Sequence, residues 1–409
     1  MKAIIIGAGI GGLTTALSLH AAGIAVEVHE AAPGLRAVGV GINLLPHAAR
    51  ELSELGLADD LAASGVATEA LVYANRHGQE IWREPRGRAA GYNWPQYSIH
   101  RGTLLSLLQT AVGERLGEGV LRTGRRAIWA EGGSVAFADG SAARGDVIIA
   151  ADGIHSALRA RHYPQEGPPV WNRRVLWRGI TEAPAYLGGR TMVMAGHGDQ
   201  KFVCYPIDPG AGPGRSLINW IAELRFPDRA EWRREDWNRP GEPADFLPRF
   251  ESWNFDWLDV PAIIAQASQI FEYPMVDRDP IDRWTFGTMA LLGDAAHPMY
   301  PIGSNGASQA ILDARVLAFQ LATRPTIADA LAAYEAERRP PTSRLVLANR
   351  GEGPERVLNL AEARAPEGFA HVTDIISQSE LQAIADGYKQ IAGFDREALN
   401  ARASLSPLR

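Results

Sequence analysis

The first thirty residues restrict the fold more than any other segment. Lys2 to Ile6 is a short, β-branched apolar run, and Gly7-Ala8-Gly9-Ile10-Gly11-Gly12 follows it directly. Ile10 to Ala22 then carries Leu13, Ala16, Leu17 and His20 at helical spacing, and Ile24 to His29 reads as a second strand. A strand, turn, helix and strand in so short a stretch predict a parallel pair joined by a right-handed crossover. Gly7, Gly9 and Gly12 occupy the G-x-G-x-x-G positions in the context that gives this motif meaning. Gly7 allows the tight turn, Gly9 lets backbone approach a pyrophosphate, and Gly12 permits close packing of helix on strand. Ile10 and Gly11 sit at the helix N-terminus, whose unpaired N–H groups and partial positive charge favour phosphate. Glu30 follows the second strand. An acid there accepts from ribose hydroxyls and repels a 2′-phosphate, so FAD or NAD is expected rather than NADP. The motif alone does not separate those two.

Composition removes other classes. Acidic residues outnumber basic ones 47 to 41, which gives no electrostatic footprint for nucleic acid. Cys204 is the one cysteine, so neither an intramolecular disulfide nor a Cys-rich zinc site is available, and no metal site is expected. The apolar start resembles a secretory leader, but Gly7, Gly9, Gly11, Gly12, Thr14 and Thr15 break it. No other segment approaches the length of a membrane span. The expected compartment is the cytoplasm, with no membrane partner.

Farther along, helical patterns recur at 46–55 and 102–116, and 147–150 is another buried strand. The character changes after about Pro168. Segments 174–182, 191–195, 201–207 and 216–224 are strand-like and are separated by Gly/Pro-rich turns such as 208–214. A strand at 289–292 returns to the α/β style, with a helix after Ser304. Thr326 and Asp329 form a capping signature before a helix at 328–339. Pro340-Pro341 is expected to interrupt that helix, with a further one from Thr342 to Leu360 and another over 377–390.

Two more motifs stand at strand ends. Ala151-Asp152-Gly153-Ile154-His155-Ser156 follows the strand ending at Ala150, and Leu291-Leu292-Gly293-Asp294-Ala295-Ala296-His297-Pro298 follows another. Both place an Asp at the carboxyl end of a strand, where open α/β sheets bind ligands. Three cofactor segments spread along most of the chain suit a long cofactor better than NAD. Asp294 can accept from a ribityl hydroxyl, and Gly306 opens a helix whose N-terminus can stabilise negative charge on a reduced ring.

With Tyr334-Glu335, Arg338-Arg339-Pro340, Gly39-Val-Gly-Ile-Asn43, Tyr97-Ser-Ile-His-Arg101-Gly102, Trp177-Arg178-Gly179, Tyr273-Pro-Met-Val-Asp-Arg-Asp-Pro280 and Gly303-Ser-Asn-Gly-Ala-Ser-Gln309, these segments resemble the flavoprotein aromatic hydroxylases of the para-hydroxybenzoate hydroxylase fold. Within that family the nearest likeness is to enzymes acting on phenazine carboxylates. The family more often carries Gln where this chain has Asn305. The resemblance covers most of residues 1–350 and leaves the tail after about 355 unmatched.

The resemblance implies an α/β fold: a Rossmann-like FAD-binding domain with an inserted β-sheet substrate domain and a helical C-terminal segment. The FAD domain would be discontinuous over 1–70, 98–165 and 285–355, the substrate domain would span 71–97 and 166–284, and the tail 356–409. FAD would be held tightly and non-covalently by Gly7, Gly9, Ile10, Gly11, Gly12, Glu30, Arg36, Arg101, Asp152, Gly293, Asp294, Gly303 and Gly306. NAD(P)H, with NADH favoured, would act as a transient reductant, since no second G-x-G-x-x-G is present. Oxygen would add to the reduced flavin as a C4a-hydroperoxide and pass to a small aromatic or heteroaromatic substrate, with loss of a phenazine-type carboxylate left open. No catalytic side chain beyond the flavin is implied; Pro298 and Pro301 would shape the flavin face, and His297 would pack beside the cofactor loop. Tyr205, Arg178 and Trp220 are expected at the substrate, with an in-sheet salt bridge as the competing expectation for Arg178. Alternation places Val203 and Tyr205 on one face, opposite Phe202 and Cys204.

A flavin halogenase shares the fold, but its W-x-W-x-I-P segment is missing from this sequence. An NAD-dependent dehydrogenase would leave Gly293-Asp294 without a role. A flavin oxidoreductase without oxygen insertion and a non-catalytic flavin binder stay open on sequence alone.

Overall fold

Strand Lys2–Ile6 is apolar from Ala3 onward because it is covered on both faces and paired on both edges. It runs parallel to Ala25–His29 on one side and to Val147–Ala150 on the other. The computed structural model describes residues 1–35, 39–208, 210, 212–228 and 239–406. Arg36 lies outside the described residues, as do Pro209 and Ala211 of the 208–214 turn. The first sheet has the order 285–286, 289–291, 147–150, 2–6, 25–29, 121–122. Every neighbouring pair in it is parallel except the hairpin at 285–291. Its three central strands therefore end on one edge, and each of the three motifs starts there.

A second sheet of seven strands has the order 270–277, 170–184, 215–225, 200–208, 191–197, 70–74, 80–85. One face buries Trp177, Phe202, Cys204 and Trp220 against Phe246, Phe250 and Trp253. The other face carries Met192, Met194, Val203 and Tyr205, and part of it packs on Val357, Leu358 and Leu381 of the tail. The tail is helical at Arg356–Arg364, Gln378–Ala392 and Arg396–Ala401.

The expected break at Pro340-Pro341 does not occur: one helix runs from Ile327 to Arg350. Proline removes an N–H and crowds the preceding turn, but tertiary contacts hold both sides of this pair. Before it, Arg338 Nε donates to Asp313 Oδ1 at 2.7 Å; after it, Leu345 and Val346 are buried. Thr342 Oγ1 donates to the Arg338 carbonyl oxygen at 2.7 Å, a bond that spans the proline pair.

His47, on the helix Pro46–Glu54, is fully buried and stacks on Phe394 of the tail at 5.6 Å between centroids. Burial, with Arg402 and Arg338 nearby, depresses its pKa to about 3. The unfolded chain binds this proton below the ordinary pKa of 6.5, and the folded chain binds it only near 3. The histidine therefore removes stability as pH falls through that window, by up to ~1.4 kcal/mol per pH unit. His47→Gln, which cannot titrate, is expected to flatten the acid limb. In unfolding measurements from pH 7 to pH 4, the stability difference between parent and variant should change steadily with pH; parallel curves would refute the assignment.

Candidate functional site

A cavity of about 390 Å³ lies where the motif edge of the first sheet meets the second sheet. Gly9, Ile10 and Gly11 form one end of its wall, and Ala151, Gly153, Gly293 and Asp294 continue it. Arg101, Pro301 and Gly306 also line it, so segments far apart in sequence meet here. The helices Ile10–Ala21 and Gly306–Thr323 both begin at this wall, and neither has a side-chain N-cap bond. Two helix N-termini thus face one cavity with unpaired N–H groups.

The remaining motif residues act one layer back. A Cβ on Gly12 would lie 1.9 Å from Gly7 O, and one on Gly7, at φ +102°, would lie 2.2 Å from Ala151 O. These two glycines set backbone packing, whereas nothing lies within 4 Å of a Cβ built on Gly9. Glu30 Oε2 accepts the Ala8 N–H and Oε1 accepts the Ala32 N–H, both at 2.8 Å. Asp152 Oδ2 accepts the Ala157 N–H at 3.0 Å and so orders the turn whose Gly153 reaches the cavity. Burial raises the Asp152 carboxyl above its usual range. Pro298 is buried off the cavity wall, and Gly303 packs against Tyr388.

Asp294 is exposed, but to the cavity it lines, where the surrounding protein strips its carboxyl of solvation. This environment raises its carboxyl pKa, with the charges of His297 and Arg101 pulling the other way. For Arg101, burial lowers the pKa and Asp294 opposes that shift. His297 is buried: its Nε2 lies 2.5 Å from Asp313 Oδ2, and its ring packs 5.2 Å from Trp284. Asp313 also accepts the Gly293 N–H at 3.1 Å and Arg338 Nε. Burial alone would raise Asp313, but His297 and Arg338 bring it down to about 2. His297 therefore ties the Gly293-Asp294 turn to the Arg338 helix from behind and does not line the cavity.

On the second sheet, Arg178 and Tyr205 line the cavity and Trp220 does not. The expectation for Trp220 is corrected by register. Trp220 pairs directly with Cys204, and residues opposite each other share a face. It is fully buried on the far side, stacked on Phe202. Its neighbours Asn219 and Ile221, one residue away on either side, point the other way. Arg178 forms no salt bridge among the described residues; Nη2 donates to Gly41 O at 2.8 Å and its buried Nε has no partner.

Sequence reasoning missed the cavity's other lining residues. Met192, Met194, Met275 and Met299 give it apolar, adaptable walls. Also on its lining, Lys201 Nζ pairs with Glu223 Oε2 at 2.9 Å and with Glu355. Burial works against the Lys201 charge, and the two glutamates more than offset it. Glu355 comes from the unmatched tail side of the chain, and only the alternating pattern of strand 200–208 hinted that Lys201 shares a face with Tyr205.

The donor set fits FAD. A glycine with open space at the fingerprint, two uncapped helix N-termini, a cavity-facing carboxylate and a cavity-facing guanidinium line one cavity. Comparisons with known proteins agree. A family model described as an FAD binding domain matches residues 255–349. A phenazine 1,6-dicarboxylic acid hydroxylase from Lysobacter antibioticus is 47% identical over 408 residues, covering 95% of this chain and 96% of that protein. An aurachin C monooxygenase/isomerase from Stigmatella aurantiaca is 33% identical, covering 83% of this chain and 85% of that one. The solved structure of Klebsiella pneumoniae HpxO with FAD and uric acid superposes with a TM-score of 0.72 at 25% identity, covering 98% of this chain and 96% of that one.

Proposed function

The chain belongs to the FAD-dependent aromatic hydroxylases, and from that premise we propose that it hydroxylates a planar heteroaromatic acid of the phenazine type, using NADH and O2. One observation carries this reading. One cavity is lined together by the dinucleotide fingerprint, by Asp294 and Arg101, by four methionines and by the charged groups Arg178, Lys201, Glu223 and Glu355. Bound FAD supplies the redox and oxygen chemistry; this chain's residues bind, orient and exclude water.

Gly9 and Gly11 with Ile10 cradle the pyrophosphate, and Gly7 and Gly12 act by packing the turn that brings them there. Glu30 retains lone pairs beyond its two backbone bonds for the ribose hydroxyls. Asp294 and Arg101 face the ribityl and pyrophosphate groups, and Pro301, Gly293 and Gly306 border the ring. Asp152 and Gly303 act by shaping the turns beside them. In the substrate slot, Arg178 and Tyr205 form the pole that receives a carboxylate, with Arg178 Nε as the unpartnered donor. Lys201 is not that pole, because Glu223 and Glu355 already neutralise it. The methionines and Val203 accept a flat ring system, and stacking on Tyr205 adds about 0.5–1.5 kcal/mol beyond burial. The substrate sheet forms one domain and the segments around the fingerprint another, with the tail bracing both. The described helices include none long and apolar enough to cross a membrane, and we place the enzyme in the cytoplasm.

The test is isotopic. With 18O-labelled O2, one labelled atom is expected in the aromatic product for each NADH consumed. Product mass separates addition of oxygen from replacement of the carboxylate. Label found only in water or hydrogen peroxide, with every phenazine and aromatic acid tried, would sink the reading.

A further inference from the structure

We propose that Tyr388 of the C-terminal tail is a positioning residue for the flavin: it clamps the segment 301–306 in the shape that forms the cavity wall. The inference rests on reading that wall as the flavin's neighbour.

The segment needs a clamp. Gly303 and Ser304 both hold positive φ, +67° and +57°, immediately before the helix that begins at Gly306. For a serine this conformation is sparsely populated and costs free energy unless the surroundings over-determine it. The segment has few bonds of its own. Ser304 N–H donates to Pro301 O at a long 3.3 Å, and Asn305 Nδ2 donates to Gly303 O at 3.0 Å.

Tyr388 supplies what is missing. Its hydroxyl accepts from Asn305 Nδ2 at 2.9 Å. Its one proton has two acceptors within reach, Asn349 Oδ1 at 2.9 Å and Ile302 O at 3.2 Å. The side chain lies between two glycines. A Cβ on Gly303 would come within 2.0 Å of the hydroxyl, and one on Gly353 within 2.8 Å of the ring. Tyr388 is buried and does not line the cavity, so it acts through the segment and not on a ligand. Burial pushes its pKa up, which keeps the hydroxyl a donor. Asn305, Gln309 and Arg338 extend the contact: Gln309 donates to Asn305 Oδ1 and to Ala392 O, and Arg338 donates to Gln309. The helix Gln378–Ala392 is thereby joined through Tyr388 and Gln309 to the first turn of the helix that opens on the cavity.

Tyr388→Phe keeps the ring between the glycines and removes only the hydroxyl. Ser377→Ala removes the N-cap of the same helix, which accepts from Glu380 N–H, and touches neither the segment nor the cavity. Three readouts are compared with the parent: FAD affinity of the apoprotein by quenching of flavin fluorescence, the midpoint potential of bound FAD, and thermal unfolding of the apoprotein. Tyr388→Phe is expected to bind FAD about tenfold more weakly and to hold it at a more negative potential, because the helix N-terminus is less well seated against the reduced ring. Ser377→Ala is expected to lower thermal stability while leaving affinity and potential at the parent values. Unchanged affinity and potential in Tyr388→Phe, or equal changes in Ser377→Ala, would overturn the proposal. A parent apoprotein that binds no FAD would instead refute the reading of the wall itself.

Discussion

Asp294→Ala is expected to purify largely as apoprotein, with FAD affinity reduced tenfold to a hundredfold or more. The carboxylate opens onto the cavity and carries the charge that faces Arg101. A hydrogen bond to a charged group contributes about 1.5–3 kcal/mol, and each 1.4 kcal/mol is about a factor of ten in affinity. The substitution also leaves Arg101 without its counter-charge in a site where burial already disfavours the guanidinium's charge. Asp294→Asn keeps the shape and one acceptor, so it should fall between parent and alanine variant. Circular dichroism of the apoprotein should match the parent, because among the described residues Asp294 makes no hydrogen bond or ion pair that holds another element in place. Stoichiometric yellow flavin in purified Asp294→Ala would show that the ribityl assignment is wrong.

Gly12→Ala and Gly9→Ala are expected to fail in different ways. In Gly12→Ala the new methyl lands 1.9 Å from Gly7 O, a backbone atom that cannot turn aside. The first helix must then lift from the central strand, which it covers with Leu13, Ala16 and Leu17. Overpacking of a core commonly costs ~1–3 kcal/mol, and a clash against backbone should lie at or above the top of that range. Loss of soluble protein, or a thermal midpoint many degrees below the parent in the apoprotein, is the expected outcome. In Gly9→Ala the methyl meets no protein atom within 4 Å. That variant should fold with parental stability and lose FAD affinity, since the methyl fills the approach reserved for the pyrophosphate. If the two variants lost stability equally, the division between a packing glycine and a binding glycine would be wrong.

Much of the cofactor side was legible before any coordinates. The buried strands at 2–6 and 147–150, the fingerprint helix and the capped helix start at Thr326 are local patterns. Each is dictated by β-branched runs, glycine at tight turns, or a side chain bonding its own backbone three residues on. Because the central strands are parallel, motifs at their carboxyl ends had to converge on one edge. The chain by itself therefore determined that Gly9, Gly153 and Asp294 would meet. It also determined the face of strand 200–208 on which Tyr205 would stand, because side chains alternate with a period of two.

The substrate side was decided only by tertiary structure. Trp220 looked like a pocket aromatic by composition, but which face it takes depends on its register with Cys204, and register is a relation between strands. Lys201, Glu223 and Glu355 belong to no sequence motif; packing of the 353–355 turn on the sheet buries them together. Pro340-Pro341 read as a break, and the Asp313–Arg338 bond and buried Leu345 carry the helix through it. Tyr388 sits in a tail with no motif, 83 residues from the Asn305 it holds. Local sequence specifies turns, caps and periodicity. Contacts between distant segments depend on how far each element rotates and slides as the core closes, and no short pattern encodes that.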